Sequence, residues 1–298
     1  GNGSNFTINL LTGASVSTET ERLLAEVDGI ALRMPYQSEA TARRRINDGR
    51  MDYVDIHLSH VAQQVWEGYY GNVDVAVVEV AGITESGELI PSASIGNNKT
   101  WLDVADRVIL EVNSWVPEAM EGIHDVYYGT ALPPHRKPLE IIRVEDRIGQ
   151  TTFRVDPTKV VAVVETNCRD SASPLTAPDA VSEAIAGHVL EFFDFEVRAG
   201  RMPADTLLPL QAGIGTIANA VLHGLLESPF DNMTMYSEVL QDSSIELLES
   251  GRMAFASASS MTLSKACYER VMANLDFYKQ RIVLRPQESS NHPEVVRR

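Results

Sequence analysis

The chain has 298 residues with 44% hydrophobic and 22% charged side chains, a soluble globular composition long enough for two domains. Its formal net charge of −16 argues against a nucleic-acid partner or an anionic membrane surface, and no apolar run approaches the length of a membrane span. Two cysteines far apart, Cys168 and Cys267, argue against a disulfide framework and for a reducing compartment. Asn2, Asn5, Asn98 and Asn232 each open an N-x-S/T triplet, read as chance because nothing resembles a secretory signal.

In chain order, Asn5 to Leu11 reads as a strand, and Thr18-x-x-Glu21 as a capping box opening a helix through Val27. Ile30 to Met34 is a strand. Ser38 to Asp48 is a helix stopped by Gly49, with Arg43, Arg44 and Arg45 on what is most simply a solvated face; attraction of phosphates is the sharper alternative. Val54 to Leu58 reads as a strand running into His57 and His60, whose spacing without a third ligand does not support a metal site. The β-branched run Val73 to Val80 predicts a parallel strand covered on both faces. Thr84 to Gly87 is a turn and Glu88 to Pro91 a hairpin arm. A short helix around Trp101 to Ala105 precedes the strand Arg107 to Val112. Residues 115–140 carry four prolines and predict an irregular excursion, followed by a buried strand from Lys159 to Glu165.

Ser171 to Pro178 is the linker candidate. Beyond it a helix starts at Asp179 with Val181, Ile185, Val189, Phe192 and Phe193 as a core stripe, ended by Gly200 and Pro203. Leu207 to Leu210 reads as a short strand, Gly213-Ile214-Gly215-Thr216 as a tight turn, and Ile217 onward as a helix. Met233 to Ser237 reads as a strand that delivers Glu238 at its end, followed by a helix from Ser243 to Ser250 stopped by Gly251. The chain closes with the strand Met253 to Ala256, a helix from Ser264 to about Lys279, the strand Arg281 to Leu284 and a helical segment from Pro293 to Arg298. Alternating strands and helices predict an α/β fold with mainly parallel sheets.

A strand, a glycine turn and a helix start leave outward-pointing backbone N–H groups, suited to a phosphate or to the oxyanion of an attacked carbonyl. Glu238 beside such a nest points to acyl chemistry with a carboxylate nucleophile. The same turn also fits the dinucleotide pattern G-x-G-x-x-A through Ala218, with Glu238 placed 23 residues after Gly215, and a nicotinamide enzyme competes on spacing. The third reading gives the glycines only a packing role.

The wording of the stretch discriminates among these. LLPLQAGIGTIANAVLHGL and YSEVLQDSSIELLESG, together with RMPYQSEATARRRINDG, VDVAVVEVAGITESGELIPSASIG, EDRIGQTT and IVLRPQESSNHPEVVRR, closely resemble segments of the acetyl-CoA hydrolase/CoA-transferase family. They follow the family's order over essentially the whole chain. The resemblance implies two tandem Rossmann-like domains, 1–177 and 178–298, the second incomplete, in a chain whose relatives extend past both ends. By itself this piece is then expected to be inactive or nearly so. It implies Glu238 as the nucleophile, the Ile214 N–H as an oxyanion donor, and Gly213, Ile214, Gly215, Thr216 and Ile217 as the turn that contacts CoA. Asn291 matches a family residue near the site, with a helix N-cap as the plain alternative. The implied substrates are an acyl-CoA and a small carboxylate, with CoA as substrate and neither metal nor nicotinamide. The expected assembly is a homodimer, in the cytoplasm or, in a eukaryote, the mitochondrion. The alternatives are a nicotinamide oxidoreductase and a catalytically dead binding homologue.

Overall fold

The computed structural model describes residues 6–15, 19–170 and 178–298, so the capping box at Thr18 and most of the linker candidate, with the expected boundary after residue 177, lie outside the described residues. The fold is α/β with strands that pair mostly in parallel. A first sheet joins β1 (Ile8–Leu11), β2 (Ile30–Met34) and β3 (Asp52–Tyr53), all parallel. In the second, β4 (Val75–Ile83) pairs with its antiparallel hairpin arm β5 (Leu89–Pro91) and with parallel β6 (Arg107–Asn113), which in turn pairs with β7 (Val160–Thr166). A third sheet places β10 (Met253–Ala258) between β8 (Met233–Tyr236) and β12 (Ile282–Leu284), and β9 (Val239–Leu240) pairs with β11 (Ser260–Met261). Among the described residues no helix is long and apolar enough to cross a membrane.

Six expectations need correction. The strand expected at Val54 to Leu58 forms at Asp52–Tyr53 instead, and Leu58–His60 is a single 3-10 turn that starts behind His57. Leu207 to Leu210 is not a strand: Leu207 sits at φ 54°, which bends the chain, and Leu210 alone bridges to Met235. β4 is covered on one face only, since Ala76, Val78 and Val80 point into the core while Val77 is 65% exposed. β7 exists but is not buried; Val163, aligned with buried Leu110, is 52% exposed because the covering layer stops short of this edge. The long helix runs from Ala180 to Arg198, capped by Asp179, yet Val181 and Phe192 of its apolar stripe face outward while Phe193 packs edge-to-face on Phe230. The helix expected from Ser264 to Lys279 is also broken at Ala273 and Asn274 into Lys265–Met272 and Leu275–Lys279.

One apolar core runs through both halves, from Met34, Val78 and Leu110 to Met233, Ala256 and Leu284. Backbone bonds cross between the halves as well. Ile95 N donates to Ser259 O (2.9 Å), Met261 N to Ala93 O (2.9 Å) and Asp125 N to Leu284 O (2.8 Å). Two arginines replace regular structure in the irregular region. Arg285, fully buried, pairs with Asp125 and donates from Nε to Ser257 Oγ (2.9 Å) and from Nη2 to the carbonyls of Val144 (3.1 Å) and Asp146. Arg147 donates from Nη1 to Gly122 O and His124 O, both at 3.0 Å. Loop carbonyls that no ladder reaches thus find donors, as buried backbone requires.

Candidate functional site

The site is built where β8 ends. Alternation along Met233-Thr234-Met235-Tyr236 buries both methionines completely, and Tyr236 OH donates to Ser289 O (2.7 Å), which fixes the strand end against the last third of the chain. Ser237 N donates to Ser257 O (2.8 Å), the last sheet bond before the chain leaves β8. Glu238 then lies in the gap between β8 and β9. Its carbonyl accepts from Ser259 N (2.8 Å), Ser260 N (3.2 Å) and Ser259 Oγ (2.9 Å), so its backbone is held from behind.

The side chain of Glu238 enters a cavity of about 480 Å³ lined by Tyr36, Asp55, His57, Gly213, Ile214 and Asn291. Two amides meet its carboxylate: Gln287 Nε2 lies 3.3 Å from Oε1 and Asn291 Nδ2 3.4 Å from Oε2. Burial pushes the Glu238 carboxyl above its ordinary value of 4.5, and the amide donors Asn291 and Gln287 pull against that rise. Among the described residues no cation pairs with it; the pair of amides stabilises the anion without neutralising it.

The glycine turn stands beside this carboxylate because two side chains clamp it. Ser237 Oγ donates to Ala212 O (2.9 Å), and Gln241 Nε2 donates to Gly213 O (3.0 Å). Gly215 has φ 143°, ψ 169°, a region that side chains other than hydrogen rarely enter, and it forms the N-cap of the helix Thr216–Leu226. Among the described residues the N–H groups of Gly213, Ile214 and Gly215 have no acceptor within the chain. Gly213 and Ile214 face the Glu238 cavity, and together with Gly215, Thr216 and Ile217 they also line an adjoining apolar groove of about 650 Å³ against Val189 and Phe193. Such a pair of spaces suits a long ligand with a reactive end.

Asn291 thus lines the Glu238 cavity and is not the N-cap of the terminal helix Pro293–Val296; His292 is, its Nδ1 accepting from Glu294 N (3.2 Å). His57 lines the cavity, but its Nδ1 is paired with Ser59 Oγ (2.8 Å), and the described residues hold no group of three or more His, Cys, Asp or Glu able to hold a metal. Arg43 and Arg44 are exposed on their helix and Arg45 pairs with Asp28 (3.3 Å), in keeping with a solvated face. Sequence reasoning missed Gln287 and its neighbour Asn97. Neither carries a pattern; only the fold brings positions 97, 238 and 287 together.

Comparison with known proteins identifies the family. The model of the acetyl-CoA hydrolase/transferase N-terminal domain matches residues 2–165. An acetyl-CoA hydrolase of Schizosaccharomyces pombe is 42% identical over 295 residues, 97% of this chain and 56% of that protein. A succinyl-CoA:acetate CoA-transferase of Clostridium kluyveri is 41% identical over 293 residues, 98% of this chain and 54% of that protein. The fold is similar to the crystal structure of a 4-hydroxybutyrate CoA-transferase from Porphyromonas gingivalis, with TM-score 0.61 and 17% identity over 98% of this chain and 66% of that one. The chain spans little more than half the length of the relatives it matches. With more than half of its residues matched by the family model, and relatives more than 40% identical over nearly all of its length, this chain belongs to the acetyl-CoA hydrolase/transferase family.

Proposed function

We propose that the protein moves coenzyme A between an acyl-CoA and a small carboxylate, with hydrolysis of the acyl-CoA as the competing outcome, and that Glu238 is the covalent nucleophile. The observation that carries this reading is the half-buried Glu238 carboxylate held by two amides in the cavity that the Gly213–Ile214 turn also faces. The names of its relatives, a hydrolase and a CoA-transferase, supply the substrate class.

In this scheme a Glu238 oxygen attacks the thioester carbonyl, and the tetrahedral oxyanion is stabilised by the Ile214 N–H. Collapse breaks the C–S bond, releasing CoA thiolate and leaving an acyl–glutamyl anhydride. Thiolate attack on the glutamyl carbon forms a glutamyl-CoA thioester and frees the original acyl group as its carboxylate. An incoming carboxylate attacks that thioester, and the same steps in reverse order yield the new acyl-CoA and regenerate Glu238. Attack by water on an intermediate gives free acid and CoA, so the dryness of the cavity sets the balance between transfer and hydrolysis. The groove beside Phe193 and Ile217 is apolar enough to take the pantetheine arm.

The test is to mix the protein, expressed in full from its gene, with acetyl-CoA, reduce with borohydride and map the peptides by mass spectrometry. Conversion of Glu238 alone to the hydroxy side chain is expected. An unmodified Glu238 during turnover would rule it out as the nucleophile.

A further inference from the structure

We infer that Gln287 is a catalytic hydrogen-bond donor to the nucleophile and that Asn97, in the other half of the chain, is the positioning residue that keeps the Gln287 amide facing the right way. The inference rests on the reading of Glu238 as nucleophile and adds to it two residues that share no sequence motif with it.

The orientation follows from chemistry. An ionised carboxylate only accepts hydrogen bonds, so Gln287 must present its NH2 to Glu238, as it does at 3.3 Å. Its carbonyl oxygen then needs a donor on the other side, and Asn97 Nδ2 lies 3.0 Å from Gln287 Oε1. The sequence Asn97 N–H to Gln287 O, then Gln287 N–H to Glu238 O, is a one-directional relay with a single consistent assignment of both amides. Asn97 and Gln287 are 1% and 2% exposed, so water does not compete for these groups.

The backbone also fixes the relay. Gln287 N donates to Gly96 O (2.9 Å), next to Asn97, and Ile95 N donates to Ser259 O (2.9 Å), which ties the same loop to the residue that holds the Glu238 carbonyl. Gly13 leaves room for the Gln287 carbonyl; a Cβ there would stand 2.9 Å from Oε1. On the other flank Arg285 is locked by Asp125 and Ser257 two residues before Gln287. The bond at 3.3 Å is long for the resting protein and shortens when CoA thiolate attacks the glutamyl carbon of the anhydride and negative charge builds on the glutamyl carbonyl oxygen, the pattern common to catalytic hydrogen bonds before substrate arrives.

The experiment uses the protein expressed in full, with Gln287→Met, Asn97→Asp and the double variant. Gln287→Met keeps the length of the side chain and removes the donor; kcat is expected to fall about tenfold with the KM for acyl-CoA little changed, the loss typical of a hydrogen bond to a charged group. The acid limb of the pH–rate profile should move upward, since the ionised carboxylate loses a donor. Asp55 and His57, which line the same cavity, are unchanged in every variant. Asn97→Asp turns the donor into an acceptor, so the Gln287 amide flips and sets its oxygen against Glu238; a loss of about tenfold is again expected. The decisive arm is the double variant. It should be no slower than Gln287→Met alone within about twofold, because Asn97 acts only through Gln287.

Multiplying losses in the double variant, or a wild-type rate for Gln287→Met, overturns the inference. Should Asn97→Asp not fold, Asn97→Ser, which retains a donor, replaces it and is expected to keep more activity than Asn97→Ala; equal activity of those two would count against the relay. Borohydride labelling of the unmodified protein separates the two levels. Label at Glu238 with a fully active Gln287→Met refutes the relay alone, and absence of label refutes the reading of Glu238 on which it stands.

Discussion

Replacing Arg285 by Met removes one of the two fully buried arginines among the described residues. The guanidinium is completely buried, and Met fills the space of its stem without its charge. Four acceptors lose their donor: the Asp125 carboxylate, Ser257 Oγ, and the carbonyls of Val144 and Asp146. Breaking a buried ion pair from one side costs about 3–5 kcal/mol. Asp125 Oδ1 keeps the N–H groups of Ile148 (3.0 Å) and Gly149 (2.6 Å), which continue to stabilise its charge and place the expected loss near the low end, about 3 kcal/mol. Urea denaturation followed by far-UV circular dichroism, at room temperature and neutral pH, measures it as a lower midpoint at constant slope. Arg285→Met/Asp125→Asn is the control. Asn keeps the acceptor for both N–H groups and removes the stranded charge, so it should recover at least half of the loss. A cost below about 1 kcal/mol for Arg285→Met, or a double variant no more stable than the single, would refute the account of this anchor.

Three further outcomes follow from the site and its surroundings. Because burial raises the Glu238 carboxyl and the proposed mechanism needs its anion, kcat/KM should fall with decreasing pH through a value above the ordinary carboxylate range, and Glu238→Gln should abolish both turnover and labelling. Gly215→Ala, forced to φ 143°, should cost about 1–3 kcal/mol and raise the KM for acyl-CoA, whereas Gly213→Ala, with no positive φ and open space at its Cβ, should leave stability near wild type. His124 is buried with its Nε2 2.9 Å from Ser92 O, and burial lowers its pKa from 6.5 to about 4. A depressed pKa favours the neutral ring in the fold, so this contribution is complete above pH 6.5 and is lost as pH falls toward 4. Between pH 7 and pH 5 it amounts to roughly 2 kcal/mol, which His124→Gln should remove from the pH dependence of unfolding.

The central stretch was legible because its signals are local. A strand-like Met233 to Tyr236, a glycine turn and a carboxylate at the strand end are neighbours in sequence or nearly so, and they meet in space as expected. The valine runs misled for a physical reason. β-branched residues report a preference for pleated backbone, which β4 and β7 satisfy, but the covering of each face depends on layers contributed from elsewhere. Leu207 to Leu210 failed for the opposite reason: apolar composition was right, and the backbone turn at Leu207 ended any ladder. Gln287 and Asn97 could not have been found by spacing. Their importance comes from a junction of loops 190 residues apart, where one amide meets another beneath a carboxylate.

The continuous core has a consequence for how the molecule comes apart. Val78 and Leu110 of the first half and Met233, Ala256 and Leu284 of the second belong to one apolar interior, stitched by the 93–95 and 123–125 backbone bonds. Melting either sheet strips the other of its neighbours, so the two halves form a single cooperative unit. Amide hydrogens of β4 and β10 should then exchange through the same global opening, with equal protection free energies. The strand that leads to Glu238 is consequently insured by residues more than a hundred positions upstream: a cavity cut at Val78 weakens the same interior that holds Met233.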